Sequence, residues 1–467
     1  MRNELRSVVF VAFGAIGLVA VNCTPDPDTS TFRPPPEPTT DPVGEDGGGS
    51  SGSSGVFGNP DAADAGRTCK DLECQQVVCP TGSTTLSGTV FAPEGSIPVY
   101  NAIVYVPNSP PTPFTDGVVC EQCGKVTGNP LVTAITNEKG QFTLQNVPVG
   151  NDIPLVVQVG KWRRQTKVSK VEKCVDTAVP TIATRLPRSK DEGDIPRIAV
   201  STGKKDTLEC FLRKIGIEQK EFTLPSGTGR VHLFAGNGAG LGAGTPASTT
   251  LWNSAANLKK YDITMLGCEG DADTSNKEPY YGAMGEYLYS GGRVFATHFH
   301  RAWFAFNAAT PGLIQTADWG TIPTTANPYH IDTDFPKGKA FADWLVNAGA
   351  SSTPGLITLG EVKNSVGDSS AYSRRWIRSD SPKSATYFTF NTPVGQAPDK
   401  QCGRGVFTDV HVVGGDVTIA PTAVFPNHCT TTGLSTNEKA LLFLFFDLSS
   451  CVQDETKPPL PPPPIPK

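Results

Sequence analysis

The feature that most constrains this chain is a regular exchange of strand and helix patterns between residues 194 and 452. Buried-strand runs such as IPRIAVST and YDITML alternate with segments such as DTLECFLRKIGI, whose apolar residues recur at helical spacing. The last helix pattern, NEKALLFLFFDL, begins with a capping box of Ser435 and Glu438. Such alternation predicts a doubly wound, largely parallel sheet with helices on both faces. A (β/α)₈ barrel is excluded because the segment lacks eight repeats.

A different rhythm precedes this segment, between residues 69 and 185. Short alternating runs, TTLSGTVFA, YNAIVYVPN, TAITNEKGQFTL and IPLVVQV, are separated by turn signals. The turn NEKG suits a hairpin because Gly140 accepts a positive φ. The expected fold class is therefore all-β followed by α/β: a β-sandwich, then the doubly wound sheet.

The two ends of the chain have compositions that do not build a core. An apolar run over residues 8–21 follows a charged start and predicts a signal peptide over residues 1–22. The run ends at Cys23 in a context that resembles the bacterial lipoprotein box, although a plain signal peptide or an uncleaved anchor also fits. Residues 23–68, rich in Pro, Gly and Ser, predict a disordered tether, and residues 453–467 predict a disordered Pro-rich tail.

Charge and export together define the expected partners. The net charge of -5 and the absence of a basic stripe exclude nucleic acid as an expected partner. We expect an exported lipoprotein of the cell membrane or outer membrane, facing the periplasm or the surface. Its expected partners are the membrane, through a lipid on Cys23, and a glycan or another envelope component.

Twelve cysteines in an exported chain predict disulfide bonds. If Cys23 carries lipid, eleven remain, so at least one thiol is free or bonded outside the chain. The motif CEQC lacks the further ligands of a zinc site and the helix N-terminus of a redox site. We expect its cysteines to pair with Cys69, Cys74, Cys79 or Cys174. The full set of disulfide candidates is Cys69, Cys74, Cys79, Cys120, Cys123, Cys174, Cys210, Cys268, Cys402, Cys429 and Cys451.

Ionisable residues follow three of the predicted parallel strands. After YDITML, GRVFAT and RGVFT, in that order, come Cys268 and Glu269, His298 and His300, and Asp409 and His411. Ligands of open α/β sheets bind beyond the carboxyl ends of the strands. These side chains are therefore expected at one edge, which is the candidate site.

Two stretches resemble known families. SGTV, NAIVYV and TAITNEKGQFTLQNVPVG resemble the carboxypeptidase regulatory-like domain, a transthyretin-like β-sandwich that is usually non-catalytic; the insertion PNSPPTPFTDGVVCEQCGKVTGNP departs from it. YDITML, YLYSGGRVFATHFH and CGRGVFTDVHV are similar to the trehalose-utilisation (ThuA-like) proteins, which have the flavodoxin-like fold of class I glutamine amidotransferases. That resemblance implies that His298 and His411 match the family histidines. The turn that bears the nucleophilic cysteine in amidotransferases carries Thr297 and His298 here, so amide hydrolysis by the usual Cys–His pair is not implied.

The preferred function for this edge is a ligand pocket, with a glycan as the guessed ligand. Aromatic side chains offer apolar area to a sugar face. The residues expected to bind the ligand are Arg301, Trp303, Tyr280 and Tyr281.

Three further functions fit the same residues. A metal site would use His298, His300 and His411, with a divalent ion as the candidate cofactor. A hydrolase would use His298 and His411 with Asp409 and Glu269 to orient water. The third function is nucleophilic catalysis by the thiol of Cys268. A disulfide bond from Cys268, for example to Cys210, is expected instead.

The lipid anchor yields a direct prediction. A Cys23→Ala protein should lose all metabolic palmitate labelling, because the thioether to the lipid cannot form. A Cys268→Ala protein is the matched control and should label as the wild type does. Labelling is followed by fluorography of the immunoprecipitated protein, and a wild-type chain that never labels contradicts the anchor.

Overall fold

The computed structural model describes residues 68–121, 123–239, 241–242, 244–413, 429 and 433–465. The predicted signal peptide, Cys23 and nearly all of the tether lie outside these residues. From Thr68 onward the chain forms one compact unit. None of the helices in the described part combines the length and the apolarity that crossing a bilayer requires.

The first part of this unit is a sandwich of two sheets. Its elements are β1 Thr85–Thr89, β2 Ile103–Pro107, β3 Pro130–Ile135, β4 Gln141–Gln145, β5 Gly150–Val159, β6 Trp162–Val171, β7 Asp176–Ala178 and the short helix α1 Thr181–Thr184. One sheet has the order β4-β1-β7 and the other β3-β2-β5-β6. Side chains such as Leu86 and Val104 fill the space between them and are fully buried. Gly140 has a φ of 72° in the β3–β4 hairpin, as its turn predicts.

The second part exchanges strands and helices as predicted. Its elements are β8 Ile198–Thr202, α2 Leu208–Lys214, β9 Phe222–Thr223, β10 Val231–Ala235, α3 Thr249–Trp252, α4 Ala255–Leu258, β11 Ile263–Leu266, α5 Thr274–Lys277, α6 Tyr281–Tyr289, β12 Arg293–Thr297, α7 Ala302–Ala305, α8 Pro311–Ile314, β13 Ala317–Trp319, β14 Tyr329–Ile331, α9 Pro336–Asn347, β15 Leu356–Ile357, β16 Val366–Ser369, β17 Arg374–Asp380, β18 Lys383–Thr392, β19 Gly403–Thr408 and α10 Thr436–Ser449. The Ser435–Glu438 capping box opens α10.

Ten of these strands form one sheet, in the order β15-β14-β17-β18-β19-β12-β11-β8-β10-β9. The six strands from β19 to β9 are mutually parallel. Leaving out the two-residue β9, their order counted along the chain is 2-1-3-4-5, an order shared by doubly wound sheets. The other four strands are antiparallel, so the sheet is less parallel than predicted. The reason is the short turn between β17 and β18, which permits only antiparallel pairing.

Helices cover both faces of this sheet. On one face α2, α9 and α10 pack with the sandwich in a single continuous core. On the other face α3, α4, α6, α7 and α8 build a second core. Alternate residues along a strand enter opposite cores, as Met265 and Leu266 of β11 do, because successive side chains of a strand point to opposite faces. The prediction of an all-β part followed by an α/β part is confirmed at this level.

Five disulfide bonds join described cysteines, as an oxidising compartment favours. The pairs are Cys69–Cys74, Cys79–Cys174, Cys120–Cys402, Cys123–Cys451 and Cys210–Cys429. The prediction that Cys120 and Cys123 of CEQC pair with cysteines of the sandwich part was wrong. The insertion that carries them lies against the α/β part, where the Val118 N–H donates to the Lys259 carbonyl at 3.0 Å. A pairing of Cys268 with Cys210 was also wrong. Cys268 is the free thiol among the described residues, and it is buried.

The C-terminal segment differs from the solvated tail that its composition predicts. Residues 453–465 lie against the body of the protein, where Ile465 N–H donates to the Pro130 carbonyl at 2.8 Å. The anchor is Glu455, whose Oε1 receives Arg404 Nη1 at 2.7 Å and Lys337 Nζ at 3.2 Å. Both cations also pair with Asp447 of α10. Composition misses this contact because a buried ion pair fixes the tail, together with the packing of Ile465 against the core.

This ion-pair network predicts a stability loss. Lys337 is completely buried between Asp447 and Glu455, so replacing it leaves an uncompensated carboxylate. Lys337→Met should lower the free energy of unfolding by about 3–5 kcal/mol, measured by chemical denaturation with the disulfides intact. The control is Lys457→Met, which removes an exposed pair and should cost less than about 1 kcal/mol. Equal losses in the two variants would contradict the network.

Candidate functional site

Three side chains converge where three neighbouring parallel strands end. Cys268 follows β11, His298 follows β12 and His411 follows β19. The Sγ atom of Cys268 lies 3.5 Å from Nδ1 of His298, and Nε2 of His411 lies 3.3 Å from the same Nδ1. All three potential ligand atoms lie within 4.8 Å of one another. The expectation that the strand ends bring these side chains together at one edge therefore holds for these three residues.

The backbone at His298 is itself unusual. Its φ is 39°, in the left-handed region that residues other than glycine seldom adopt. The chain turns there out of β12 into a 3₁₀ turn, His298–Arg301. Strained positions of this kind cost of order 1–3 kcal/mol and cluster at functional sites. The strain fits a site in which the direction of the His298 ring matters.

Asp206 and Thr297 hold the site in place, and the sequence did not single out either residue for a role. The Asp206 carboxylate accepts hydrogen bonds from the backbone N–H of Val412 at 3.1 Å and of Val413 at 2.9 Å, directly after His411. Burial raises the pKa of Asp206 to about 7 against the opposing effect of these bonds. The Thr297 hydroxyl accepts the N–H of the free cysteine at 2.8 Å. The sequence could have indicated both residues, because Asp206 follows β8 and Thr297 ends β12, and polar residues at strand ends are candidates for the site.

Burial keeps the thiol and the imidazole uncharged. Desolvation raises the pKa of Cys268 to about 11, although the N–H groups of Phe299 and Gly270 point at its sulfur and oppose the effect. Desolvation, and then the charge of His411, lowers the pKa of His298 to about 3. Since the thiolate is the nucleophilic form of cysteine, Cys268 is a poor nucleophile by itself. A neutral imidazole, by contrast, is the form that ligates metals.

The two predicted catalytic carboxylates form their hydrogen bonds and short ion pairs away from His298 and His411. Asp409 is buried and accepts hydrogen bonds from the backbone N–H of Ser365 at 2.5 Å and from its hydroxyl at 2.7 Å. Glu269 pairs with Lys277 Nζ at 2.6 Å and accepts the backbone N–H of Asn237 at 3.1 Å. Both buried carboxylates thus have hydrogen-bond partners of their own, and their assignment as catalytic residues stays a prediction.

His300 does not join His298 as a ligand. Its Nε2–H donates to the Gly267 carbonyl at 3.0 Å, and its Nδ1 accepts the indole N–H of Trp303 at 3.2 Å. Both ring nitrogens are therefore occupied, and burial holds the pKa of His300 well below its ordinary value. The predicted set of three histidines was wrong because the turn after Thr297 separates the two side chains. Cys268 supplies the third donor instead.

The aromatic residues expected at a sugar site lie in the core. Trp303 and Tyr281 are buried and pack edge to face, with ring centroids 5.8 Å apart. Tyr280 is partly buried against the same cluster. Neither Trp303 nor Tyr281 offers a free face to a ligand, so both were wrong as binding residues. Each belongs to a helix that packs on the sheet, which buries its apolar face.

Two cationic side chains lie near His298. The charges of Arg301 and Lys363 contribute to lowering the pKa of His298, after burial and His411. Lys363 pairs with Glu361 at 3.0 Å. Within the described residues Arg301 forms no ion pair, and its guanidinium carbon lies 5.3 Å from the centroid of the Phe299 ring. Of the four predicted binding residues, Arg301 is the one that the structure leaves available beside the site.

One acidic side chain, Glu361, lies beside His411. Its Oε2 lies 3.9 Å from Nδ1 of His411, and its backbone carbonyl accepts the His411 N–H at 3.1 Å. Carboxylates near the distal nitrogen of a histidine commonly orient that ring in metal sites. The backbone of Glu361 is also in the left-handed region, with a φ of 53°.

Comparisons with known proteins add little to this description. No family model matches the chain, and no curated protein does. A GMP synthase protein from Thermoplasma acidophilum is 9% identical, with 54% of this chain and 92% of that chain covered and a TM-score of 0.31. Two mutants of a type II cohesin–X-dockerin complex from Acetivibrio cellulolyticus also match, each with a TM-score of 0.15. The first is 15% identical, and the match covers 30% of this chain and 75% of that chain. The second is 14% identical, and the match covers 31% of this chain and 78% of that chain. Scores this low carry no argument, so the fold description depends on the strand order.

The protonation state of Cys268 gives a prediction that separates a nucleophile from a ligand. At pH 7.5 a thiol with a pKa of about 11 contains about 100-fold less thiolate than one with an ordinary pKa of 9.0. Iodoacetamide should therefore label native Cys268 at least that much more slowly than free cysteine, as followed by peptide mass spectrometry. Denaturant without reductant is the control and should make the peptide that contains Cys268, the free thiol of the described residues, react fast. Fast native labelling would favour nucleophilic catalysis.

Proposed function

We propose that this protein binds a transition-metal ion, zinc, through Cys268, His298 and His411. The observation that carries the proposal is the spacing of the donor atoms. A tetrahedral zinc ion with its usual bond lengths holds two nitrogens about 3.3 Å apart and a nitrogen and a sulfur about 3.5 Å apart. The corresponding distances here are 3.3 Å and 3.5 Å. A zinc ion between the three donor atoms would replace the direct contacts that Sγ of Cys268 and Nε2 of His411 make with Nδ1 of His298.

The chemistry of the donors selects the class of ion. A thiol and two imidazoles suit zinc or copper, whereas calcium and magnesium need oxygen ligands. His298 is neutral at physiological pH, so protons do not compete for its nitrogen. A bound ion would deprotonate Cys268, since a coordinated thiol loses its proton in spite of an unfavourable surrounding. Burial thus disfavours the nucleophilic role of this cysteine but permits its role as a ligand.

The proposal extends to hydrolysis. Three protein ligands leave one position of a tetrahedral ion for water, as in catalytic zinc sites, and bound zinc supplies hydroxide near neutral pH. His298 is only partly buried, which leaves a path to that position. Arg301, with no ion-pair partner among the described residues, would bind an anionic group of the substrate. The substrate class expected is therefore an anionic ester, amide or phosphoester.

Location and ancestry belong to the same proposal. We propose an exported protein of the cell envelope, anchored by lipid on Cys23, and the five disulfides support export. The two-sheet sandwich supports the likeness to carboxypeptidase regulatory-like domains. The 2-1-3-4-5 strand order, with His298 and His411 at the ends of neighbouring strands, supports the likeness to ThuA-like proteins.

Metal content is the test of this function. Purified protein incubated with zinc and desalted should contain about one equivalent by mass spectrometry, and zinc should raise its Tm. Cys268→Ser and His411→Ala should each lose the ion, because two donors hold zinc far more weakly than three. His330→Ala, which changes an exposed histidine elsewhere, is the matched control and should keep it.

Two outcomes would contradict the metal site: wild-type protein that holds no zinc, or a His411→Ala protein that retains it in full. The catalytic extension has its own readout. Ester, amide and phosphoester hydrolysis by the zinc-loaded protein should stop in the presence of a chelator and return with added zinc. Bound zinc without any such activity restricts the function to metal binding.

A further inference from the structure

A cavity lies at the other end of the parallel strands from the metal site. It has a volume of about 270 Å³ and is walled by three segments: residues 371–374, 389–401 and 453–456. Its floor strand, β18, places Asn391 opposite Arg404 at the amino end of β19, whereas the metal-site residues follow the carboxyl ends. The cavity is therefore separate from the site described above, and its third wall belongs to the C-terminal segment.

The lining of this cavity contains polar atoms that lack partners. Nε of Arg374, Oδ1 of Asn391 and Oε2 of Glu455 are buried without a hydrogen bond among the described residues. Each such atom costs about 1–3 kcal/mol when left unsatisfied. Two of these three atoms are hydrogen-bond acceptors and one is a donor, so a complementary ligand carries both hydrogen-bond donors and acceptors. Hydroxyl groups do this, because each can donate and accept.

An aromatic ring stands at the rim of the same cavity. Tyr372 is 49% exposed although it is a large side chain. One side of its ring rests on Gly395, where a Cβ atom would lie 3.4 Å from the ring. The ring is thus supported from one side by backbone and offers apolar area on the other. Tyrosine combines such an area with a polar hydroxyl, which suits ligands that are apolar on one face and polar at the edges.

The charge of the lining distinguishes among such ligands. The carboxylate of Glu455 is compensated by Lys337 and Arg404, so it accepts hydrogen bonds without attracting a further cation. The guanidinium of Arg374 lies over the Phe335 ring at 5.1 Å and pairs with no acidic residue of the described chain. Asp454, the other carboxylate of the lining, pairs with Lys457 at 3.6 Å. The uncompensated charge is therefore positive, and a carboxylate on the ligand fits Arg374. A free α-amino acid fits less well, because its ammonium group lacks an unpaired anion.

We propose that this cavity binds one pyranose unit of an acidic glycan, a uronic acid residue. The ring of Tyr372 packs on the C–H face of the sugar, Asn391 and Gln396 bind its hydroxyl groups, and Arg374 binds its carboxylate. The volume lies below the ~300–1,000 Å³ of sites for drug-sized ligands, so a single ring fits and a large cofactor does not. This proposal does not depend on the metal site.

The test is calorimetric titration of the purified protein. The probes are trimers of glucuronic, galacturonic and mannuronic acid beside the neutral trimers of glucose, galactose and mannose. Wild-type protein should bind at least one acidic trimer at least 10-fold more tightly than its neutral counterpart. Tyr372→Ala should weaken that binding at least 10-fold, while Tyr372→Phe, which keeps the ring, should stay within about 3-fold. Arg374→Gln should abolish the preference for the acidic sugar.

Two controls separate binding in this cavity from binding elsewhere on the protein. Phe306→Ala removes an aromatic side chain of similar exposure, 46%, that does not line this cavity, and it should leave binding unchanged. His411→Ala should also leave it unchanged, so a failed metal site and a failed sugar site are distinguishable. Three results would overturn the proposal: no binding of any trimer at millimolar concentration, binding that Tyr372→Ala does not affect, or binding of free amino acids in place of sugars.

Discussion

The packing of α10 is the interaction on which the rest of the structure depends. This helix is apolar almost all round, and its phenylalanines contact both parts of the chain. Phe443 stacks on Tyr100 of the sandwich part, with ring centroids 5.5 Å apart, and also contacts Trp376 of the sheet. Phe445 and Phe446 pack edge to face against Trp162, which begins β6. Aromatic pairs of this kind add to the large area that each ring buries. The sandwich and the sheet therefore share one core, and neither has a complete core without α10.

Burial at the strand ends decides the chemistry of the site. The free energy of a charge in a low-dielectric environment is high, so an unpaired group there stays neutral. Cys268 and His298 stay neutral for this reason, which disfavours nucleophilic attack by the thiol and is compatible with the metal ligation that we propose. Asp409 and Glu269 keep partners of their own. One physical cause thus places the carboxylates in structural roles and leaves a thiol and two imidazoles facing one another.

Covalent and ionic links fix the segments that lack apolar residues. The insertion with the CEQC motif has little to bury, and two disulfides hold it on the α/β part. The C-terminal segment is held by Glu455, which is buried between Arg404 and Lys337. These segments are not passive, because the C-terminal one also forms a wall of the cavity beside Tyr372. Disulfides and ion pairs can therefore hold a segment with the composition of a linker in a fixed position, where it forms part of a cavity wall.

The sequence by itself determined the class of each part and the edge at which the site lies. Local periodicity predicts strands and helices, and parallel strands bring their carboxyl ends together, so His298 and His411 were found without coordinates. With lipid on Cys23, the eleven remaining cysteines also required a free thiol or a bond outside the chain. Only the tertiary structure decided that Cys268 was that thiol, that Asp409 and Trp303 serve other partners, and which cysteines pair. The reason is that these outcomes depend on which distant groups meet, and on how deeply each is buried, whereas periodicity reports only what neighbours along the chain can do.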